Sequence, residues 1–343
     1  MPTINNKNLS RHELFKYSGN ISNFCGIDKL IADEGKAGGL KLYKFKTGAG
    51  LEFTITPDKC LDIANLSYKG INISQMAKNG ITSPEYGVST PGEFPYFISG
   101  GMLFTVGLMN CGPDSFDGDD FYITHGRLAV TPAENAYART YWESDEYYLE
   151  AGGIMRESKL FGHNLLFERK IKTKMGSNII NITDILENID SEPYEFVILY
   201  HFNFGFPFLD EDLKLNFGEN KCVSRTVEAE LGMPENDIIS KPVDNFFEHV
   251  FFRSMTPDEN GYCTVNAENK KLGIAAYIKY EQKNLPNLVQ WKSMRSGDYA
   301  LGIEPANNFV CSRKLERENG TLKTINPGEK LIFNLELGLS DVK

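Results

Sequence analysis

The sequence has none of the features that mark membrane-spanning, secreted or nucleic-acid-binding proteins. Its apolar runs fall well short of the roughly 18 residues that a helix needs to cross a bilayer. The N-terminal stretch MPTINNKNLSRHELF has neither the basic nor the apolar region of a secretory signal. The sequence contains 36 Lys and Arg residues against 46 Asp and Glu residues, and the basic residues form no cluster. This distribution of charge argues against nucleic acid or an anionic membrane as a partner. We expect a cytoplasmic protein.

Cysteine is scarce and unpatterned. The cysteines form no CxxC pair and no other metal-ligand spacing. In a reducing compartment, isolated cysteines of this kind are typically free thiols. We therefore predict free and mostly buried thiols at Cys25, Cys60, Cys111, Cys222, Cys263 and Cys311.

The sequence is rich in the period-two alternation of half-buried β-strands. In LIFNLELGL, residues 331–339, every second side chain is Leu or Phe. No internal repeat and no shift in composition marks a domain boundary. We predict an all-β protein, a large antiparallel β-sandwich in which residues 1–343 form one domain. Further strands are predicted near residues 40–47, 50–56, 61–68, 136–142, 147–154, 164–174, 178–187, 194–204, 247–253, 262–267, 272–280, 288–294 and 299–304.

Few segments favour a helix. In SRHELFKYSG, Ser10 and Glu13 form a capping box and Gly19 is a stop signal, which predicts a short N-terminal helix. Two long segments, roughly 74–99 and 207–246, fit no strand. Long irregular segments in a compact domain are usually functional loops, so we expect these two to contribute to a site.

A histidine interrupts the strand predicted at 194–204. The alternation there places the aromatic residues on one face, and His201 and Asn203 together on the other. A histidine in a strand is often a hydrogen-bonded structural residue. If the second face lines a cavity, however, both polar groups point into it.

A carboxylate with very small neighbours appears in YALGIEP, residues 299–305. Glu304 shares its strand face with Ala300 and Gly302, so open space is expected beside the carboxylate. This pattern suits a ligand better than a packed core. A solvated Glu at a strand end is the alternative.

The segment ITHGR, residues 123–127, offers a third group of polar side chains. If the chain is extended there, His125 and Arg127 point the same way and could recognise hydroxyl or carboxylate groups. If Gly126 turns the chain, the shared face is lost. Two histidines and a carboxylate could also bind a metal, but their wide separation in sequence favours acid–base chemistry. The remaining histidines, His12, His163 and His249, are predicted to be structural.

Taken in order, these residues resemble the galactose mutarotase (aldose 1-epimerase) superfamily, and more closely its divergent aldose 1-epimerase-like branch. The shared elements are His125-Gly126, then His201-Phe202-Asn203 in a strand, then Glu304 on a late strand. The resemblance spans about residues 9 to 338. Segments similar to that branch are LDIANLSYKG (61–70), SGGMLFTVGLMNCG (99–112), HGRLAVTPA (125–133), EHVFF (248–252) and GIEPANN (302–308).

The resemblance implies a large β-sandwich that binds a sugar and interconverts its α and β anomers without a cofactor or metal. By analogy, Glu304 is the general base that takes the proton of the C1 hydroxyl. His201 is the general acid that protonates the ring oxygen, and His125 holds the substrate near that oxygen. A histidine and an ionised Glu can supply this acid–base assistance near neutral pH.

Some family features are absent from their usual places. The branch often has Arg-Gly where this chain has Lys59-Cys60, and SGGMLFTVGLMNCG lacks the arginine expected in the first third of the chain. The resemblance leaves the substrate-binding residues to be assigned by position. The candidates for substrate binding are Arg127, Asn203, Asn110, Asp244 as the clamping acid, Lys292, and Trp291 for stacking on the sugar.

Two alternatives to a mutarotase stay open. One is a sandwich that binds carbohydrate without catalysis. The other is an epimerase acting on a phosphorylated sugar, although a phosphate site would need clustered Arg or Lys that the sequence does not show. In every case the expected partner is a small-molecule sugar. The sequence does not fix the oligomeric state, with a homodimer as the candidate.

Overall fold

Strands dominate the computed structural model of the chain, which describes residues 2–4, 7–86 and 90–342. The strands are β1 (Thr3–Ile4), β2 (Lys7–Asn8), β3 (Gly26–Ile31), β4 (Lys41–Lys46), β5 (Leu51–Thr56), β6 (Asp62–Tyr68), β7 (Ile71–Asn72), β8 (Leu103–Leu108), β9 (Ser115–Asp117), β10 (Asp120–Tyr122), β11 (Glu134–Glu143), β12 (Glu146–Ser158), β13 (Asn164–Lys174), β14 (Ile179–Asn188), β15 (Tyr194–Phe204), β16 (Lys214–Asn216), β17 (Asn220–Ser224), β18 (His249–Met255), β19 (Tyr262–Asn269), β20 (Ile274–Glu281), β21 (Asn287–Arg295), β22 (Asp298–Ala306), β23 (Lys323–Ile325) and β24 (Lys330–Asp341). The α-helices are α1 (Arg11–Tyr17), α2 (Phe94–Phe97), α3 (Val227–Leu231) and α4 (Arg313–Glu318). Short 3₁₀ turns cover Ile21–Asn23, Gly35–Ala37, Pro84–Tyr86, Leu128–Val130 and Met233–Glu235.

Three antiparallel sheets carry the architecture. The eight-stranded sheet has the order β11-β12-β13-β14-β24-β20-β19-β16. The seven-stranded sheet has the order β17-β18-β21-β22-β15-β23, and β8 also pairs with β15. The five-stranded sheet runs β3-β4-β5-β6-β7. Because β8 and β22 pair with overlapping parts of β15, they flank it on opposite sides.

The main core lies between these sheets and receives side chains from all three. Along β15, the even-numbered residues from Phe196 to Phe204 point into it and are buried. The same core includes Phe53 of the five-stranded sheet and Phe167 of the eight-stranded sheet. The predicted all-β antiparallel sandwich is therefore confirmed, and the alternation along β15 identifies the correct core face.

The other face of the seven-stranded sheet carries a second, smaller apolar cluster, which we call the second cluster. It is separate from the main core, so β15 is buried on both faces. The buried members of the second cluster are Phe104, Val106, Cys111, Ala129, Val197, Leu199, Val250, Val289, Ala306 and Val310.

A buried ionic network connects the three sheets. Arg169 of β13 is fully buried, with its guanidinium nitrogens 2.6 Å from Asp62 of β6 and 2.7 Å from Asp184 of β14. The Tyr200 hydroxyl of β15 donates to Asp184 at 2.8 Å, and the Thr105 hydroxyl of β8 donates to Asp62 at 2.6 Å. Buried charges are tolerated when they are paired and hydrogen-bonded in this way.

The predicted N-terminal helix is confirmed. It spans Arg11–Tyr17, the capping box between Ser10 and Glu13 is present, and Ser18 is the C-cap, directly before Gly19. The strands predicted from alternation are also confirmed. The main difference lies in segment 207–246, which is less irregular than predicted because it contains β16, β17 and α3.

The described part of the chain contains no helix that is long and apolar enough to cross a membrane. The predicted free thiols are confirmed at all six cysteines, four of which are buried.

Candidate active site

The strand register brings His201 and Glu304 together. Within the pairing of β15 with β22, Leu199 lies opposite Ala306 and Phe202 lies opposite Ile303. The same register sets His201 across from Glu304, and directly paired residues on antiparallel strands share a face. Nε2 of His201 lies 3.0 Å from Oε1 of Glu304, and the two side chains are 13% and 3% exposed. Two residues predicted as acid and base therefore form a contact pair on the face of the second cluster.

Both side chains retain unused hydrogen-bonding capacity. Nδ1 of His201 and Oε1 of Glu304 are buried and make no aligned hydrogen bond with the described residues. The 3.0 Å contact is thus an ion-pair distance without hydrogen-bond alignment. Buried polar atoms in native proteins are nearly always satisfied, and the exceptions call for a functional explanation.

Gly302 makes room for this pair. A Cβ atom at Gly302 would lie 3.0 Å from Cε1 of His201 and also too close to the Glu304 carboxylate. The small residues that precede Glu304 therefore do leave space beside it, as the sequence pattern predicts. The space is occupied by the carboxylate itself and by the imidazole.

His125 approaches the pair from a turn rather than from a strand. Both His125 and Gly126 have positive φ, 63° and 70°, so the chain is not extended there. The predicted shared face of His125 and Arg127 is consequently lost. The imidazole ring centroid of His125 nevertheless lies 6.3 Å from that of His201.

The protonation state of His125 follows from its surroundings. Its Nδ1 lies 2.6 Å from the carbonyl oxygen of Cys111. Burial, together with smaller effects of the neighbouring His201 and Arg225, lowers the pKa of His125 to about 4, and the hydrogen bond to Cys111 opposes this shift. The ring is therefore neutral at pH 7. Because a carbonyl only accepts, Nδ1 carries the hydrogen, which leaves Nε2 as a hydrogen-bond acceptor.

Aromatic side chains surround the histidines. Trp291 of β21 lies edge to face with His201 at 5.5 Å between ring centroids, and Phe104 of β8 lies at 6.4 Å on the opposite side. Phe94 of α2 packs against His125 at 4.8 Å. Phe94 belongs to segment 74–99, one of the two segments expected to contribute to a site; residues 87–89 of that segment lie outside the described part of the chain.

An ion pair borders the site next to Trp291. The guanidinium of Arg225 lies 3.0 Å from one carboxylate oxygen of Glu248, and the Trp291 indole donates to the other at 2.7 Å. Arg225 follows β17 in the middle of segment 207–246, and Glu248 lies two residues beyond that segment and precedes β18. Neither Arg225 nor Glu248 was predicted from the sequence to be a site residue. The only signal was the motif EHVFF, whose first residue is Glu248.

Two of the predicted substrate-binding residues use their side chains inside the protein. The amide of Asn203 donates to the carbonyl oxygens of Gly101 and His201, at 3.0 and 3.1 Å. The amide of Asn110 donates to Gly112 and Ile123, at 3.0 and 2.8 Å, and closes the loop that carries His125. Both contacts support the backbone around the pair.

The other predicted contacts lie farther away. Lys292 is buried and donates from Nζ to the Glu235 carbonyl at 2.8 Å, and strand alternation places it on the opposite face from Trp291. Arg127 is exposed beside the Glu157 carboxylate. Asp244 is exposed in a turn, and the residue before it, Val243, forms a bridge with Arg295. Arg295 lies six positions along β21 from Val289, the residue opposite Glu304. At about 3.3 Å per residue, this separation is roughly 20 Å.

Comparison with known proteins agrees with this architecture. A family model described as "Domain of unknown function (DUF4432)" matches residues 37–339. No curated protein matches the chain by sequence. Among solved structures, a candidate aldose 1-epimerase from Klebsiella pneumoniae subsp. pneumoniae MGH 78578 is 23% identical, with a TM-score of 0.86 over 91% of this chain and 83% of that chain.

More distant solved structures share the fold. A galactose mutarotase-like protein from Clostridium acetobutylicum is 18% identical, with a TM-score of 0.64 over 93% of this chain and all of that chain. A galactose 1-epimerase from Lactobacillus acidophilus NCFM is 14% identical, with a TM-score of 0.59 over 93% of this chain and all of that chain. The chain therefore has the galactose mutarotase-like fold that the sequence resemblance implied.

Proposed function

The chain belongs to the family described as a domain of unknown function (DUF4432), and from this premise we propose that it is an aldose 1-epimerase-like isomerase of a free sugar. The observation that carries the proposal is the contact between His201 and Glu304 at 3.0 Å in a partly buried, aromatic-walled site. Anomer interconversion needs one acid and one base that act on two oxygens of the same carbon. A contact pair of this kind meets that requirement.

The reaction begins with two proton transfers. Glu304 takes the proton from the C1 hydroxyl while Nε2 of His201 gives a proton to the ring oxygen. The bond between C1 and the ring oxygen breaks, and an open-chain aldehyde forms. Rotation about the C1–C2 bond presents the other carbonyl face to the C5 hydroxyl. Reclosure with both proton transfers reversed yields the opposite anomer and restores both side chains.

The protonation state of His125 specifies how it could hold the substrate near the ring oxygen, the role that the resemblance implies. A neutral His125 whose Nδ1–H is engaged by Cys111 cannot donate a hydrogen bond to the ring oxygen. Its Nε2 accepts a hydrogen bond from a sugar hydroxyl instead. We assign it to substrate orientation, with the proton supplied by His201.

Charge around the site favours a neutral sugar. The positive charge of Arg225 is balanced by Glu248 at 3.0 Å. Lys292 is turned toward the Glu235 carbonyl, and Lys59 is buried against the hydroxyls of Thr82 and Ser99. A phosphate or carboxylate group would need a cation without a competing partner. The paired Arg225 and Glu248 can instead donate to and accept from hydroxyl groups, and the Trp291 ring adds an apolar surface.

The test follows anomer equilibration of freshly dissolved pure anomers by polarimetry and proton NMR. The panel contains neutral aldoses, uronic acids and aldose phosphates. We expect acceleration of a neutral aldose by the wild type and its loss in Glu304→Gln. The matched control is Glu187→Gln, which removes a carboxylate from the surface pair with Lys330 and should retain full activity.

Each alternative gives a different result in the same experiment. Saturable sugar binding without acceleration by the wild type indicates a non-catalytic carbohydrate-binding protein. Acceleration confined to aldose phosphates indicates an epimerase of phosphorylated sugars. Either result overturns the proposal.

A further inference from the structure

A second acid–histidine pair lies behind the loop that carries His125. Glu157, near the end of β12, is 5% exposed, and His163 follows in the turn between β12 and β13. Nε2 of His163 lies 3.8 Å from Oε1 of Glu157, and the two side chains are 6% and 5% exposed. The mechanism above uses neither residue, although a buried carboxylate is costly to maintain without a purpose.

The Glu157 carboxylate holds the backbone at the start of the His125 loop. Its Oε2 accepts a hydrogen bond from the Leu108 amide at 3.1 Å. The next residue is held from the same side, because the Arg313 guanidinium donates to the Met109 carbonyl at 2.7 Å. Two buried charged side chains therefore fix consecutive backbone groups where β8 ends and the loop begins.

The same backbone reaches His125 three residues later. The carbonyl of Cys111 accepts from Nδ1 of His125 at 2.6 Å and thereby sets its tautomer and ring orientation. Asn110 braces the loop from inside by donating to Gly112 and Ile123. Glu157 and Arg313 provide contacts to the loop from outside, and a rotation of the backbone at Leu108 would carry the Cys111 carbonyl with it.

We propose that Glu157, backed by His163, is a positioning residue that holds the Leu108–Cys111 backbone and through it the hydrogen-bonded tautomer of His125. The consequence for catalysis rests on the proposed function. The structural statement about His125 does not. Residues that support a catalytic group in this way must keep it within a fraction of an ångström of its working position.

The hold on Leu108 depends on pH. Burial raises the pKa of Glu157 to about 7, against the lowering effects of the Leu108 hydrogen bond and of nearby Arg127 and Arg313. Other titratable groups that face it are His163, Tyr194 and the thiol of Cys60. An ionised carboxylate is a stronger acceptor than a protonated one. The backbone is therefore held most firmly above pH 7 and more loosely below it.

The experiment compares Glu157→Ala and Glu157→Gln with wild type by ¹⁵N-histidine NMR. Wild type should show the His125 Nδ1–H signal with a pH dependence centred near 7. Glu157→Gln keeps an acceptor for Leu108, so the signal should persist while that pH dependence disappears. Glu157→Ala removes the acceptor, so the signal should broaden or shift, and KM should rise up to about tenfold, the effect of one lost hydrogen bond between a sugar hydroxyl and neutral His125.

A matched control separates positioning from general destabilisation. Glu150→Gln alters another buried carboxylate of β12, whose partners are Arg139, Tyr137 and Tyr141 rather than the His125 loop. It should leave the His125 signal unchanged even if stability falls. An unchanged His125 signal in Glu157→Ala overturns the proposal. If Glu157→Ala does not fold, the proposal is overturned when the His125 signal of Glu157→Gln keeps the pH dependence of the wild type. A wild type that accelerates no sugar contradicts the proposed function alone, since the NMR result does not depend on turnover.

Discussion

Nε2 of His201 and Oε1 of Glu304 lie 3.0 Å apart on adjacent antiparallel strands, at positions that the register sets opposite each other. This relationship places the proposed acid and the proposed base on two strands rather than on loops. Sites built on regular elements hold their geometry more accurately than sites on loops. The predictions below begin from this pair and move outward.

Loss of either member of the pair should abolish most of the activity. His201→Asn and Glu304→Gln should each lower kcat roughly 10²–10⁴-fold, the usual contribution of general acid–base catalysis. Because the two act as a unit, the double variant should be little slower than either single variant. Anomer NMR on a sugar that the wild type accelerates measures this. Multiplicative effects in the double variant would show that the residues act independently.

A single methyl group at position 302 should disable the site. Gly302→Ala places a Cβ 3.0 Å from His201 and against the Glu304 carboxylate, so the pair must separate. We expect a large fall in kcat with a folded protein by circular dichroism. Gly19→Ala is the control, because a Cβ there meets nothing within 4 Å. A fully active Gly302→Ala variant would contradict the geometry of the pair.

Burial of neutral His125 should make stability fall in mild acid. The folded-state pKa is about 4, below the unfolded value near 6.5. As pH drops from 6.5 toward 4, the unfolded chain binds a proton that the folded chain does not, so the free energy of unfolding decreases over that window. Urea unfolding at several pH values should show that the free energy of unfolding decreases less on acidification in His125→Asn than in wild type. Identical pH dependences would refute a neutral, buried imidazole.

Removal of the Glu248 carboxylate should change which sugars bind. In Glu248→Gln, Arg225 loses the counter-charge 3.0 Å away, while the Trp291 indole can still donate to the amide oxygen. The KM for a neutral sugar should rise, on the order of tenfold for one charged hydrogen bond. The KM for a uronic acid should fall relative to the neutral sugar, because Arg225 is then an uncompensated cation. If the ratio of the two KM values does not move, Arg225 does not face the substrate.

Stability should depend strongly on Arg169. Arg169→Met leaves Asp62 and Asp184 buried beside each other without their shared cation, and breaking a buried ion pair typically costs about 3–5 kcal/mol. Arg156→Met, which removes an exposed pair with Glu134, should cost less than about 1 kcal/mol. Urea unfolding compares the two variants. Equal losses would mean that the buried network contributes no more than a surface pair.

The fold and the centre of the site could be predicted from local sequence pattern. Alternation alone identifies which face of β15 carries His201, and the small residues before Glu304 indicate space beside it. The strand register that brings the two together is a long-range property. The meeting of His201 and Glu304 could be expected only because the motifs of this chain occur in the same order as those of the mutarotase family that it resembles.

The surroundings of the site could not be predicted because they depend on tertiary contacts. Arg225 meets Glu248 only after β17 pairs with β18, and the Trp291 indole reaches Glu248 only after β18 pairs with β21. Asn203 lies on the predicted face, yet its amide is used by the Gly101 carbonyl. For His125, the turn at Gly126 replaces an extended conformation, and the sequence left both choices open.

The separation of the second cluster from the main core has a practical consequence for engineering. Side chains on the even-numbered side of β15 pack in the main core, whereas Val197 and Leu199 on the odd-numbered side pack in the second cluster beside His201. Libraries that keep both sets of buried residues and vary only Trp291, Arg225 and Glu248 should therefore yield mostly folded proteins. Such libraries would show which ligands the candidate site can be changed to accept.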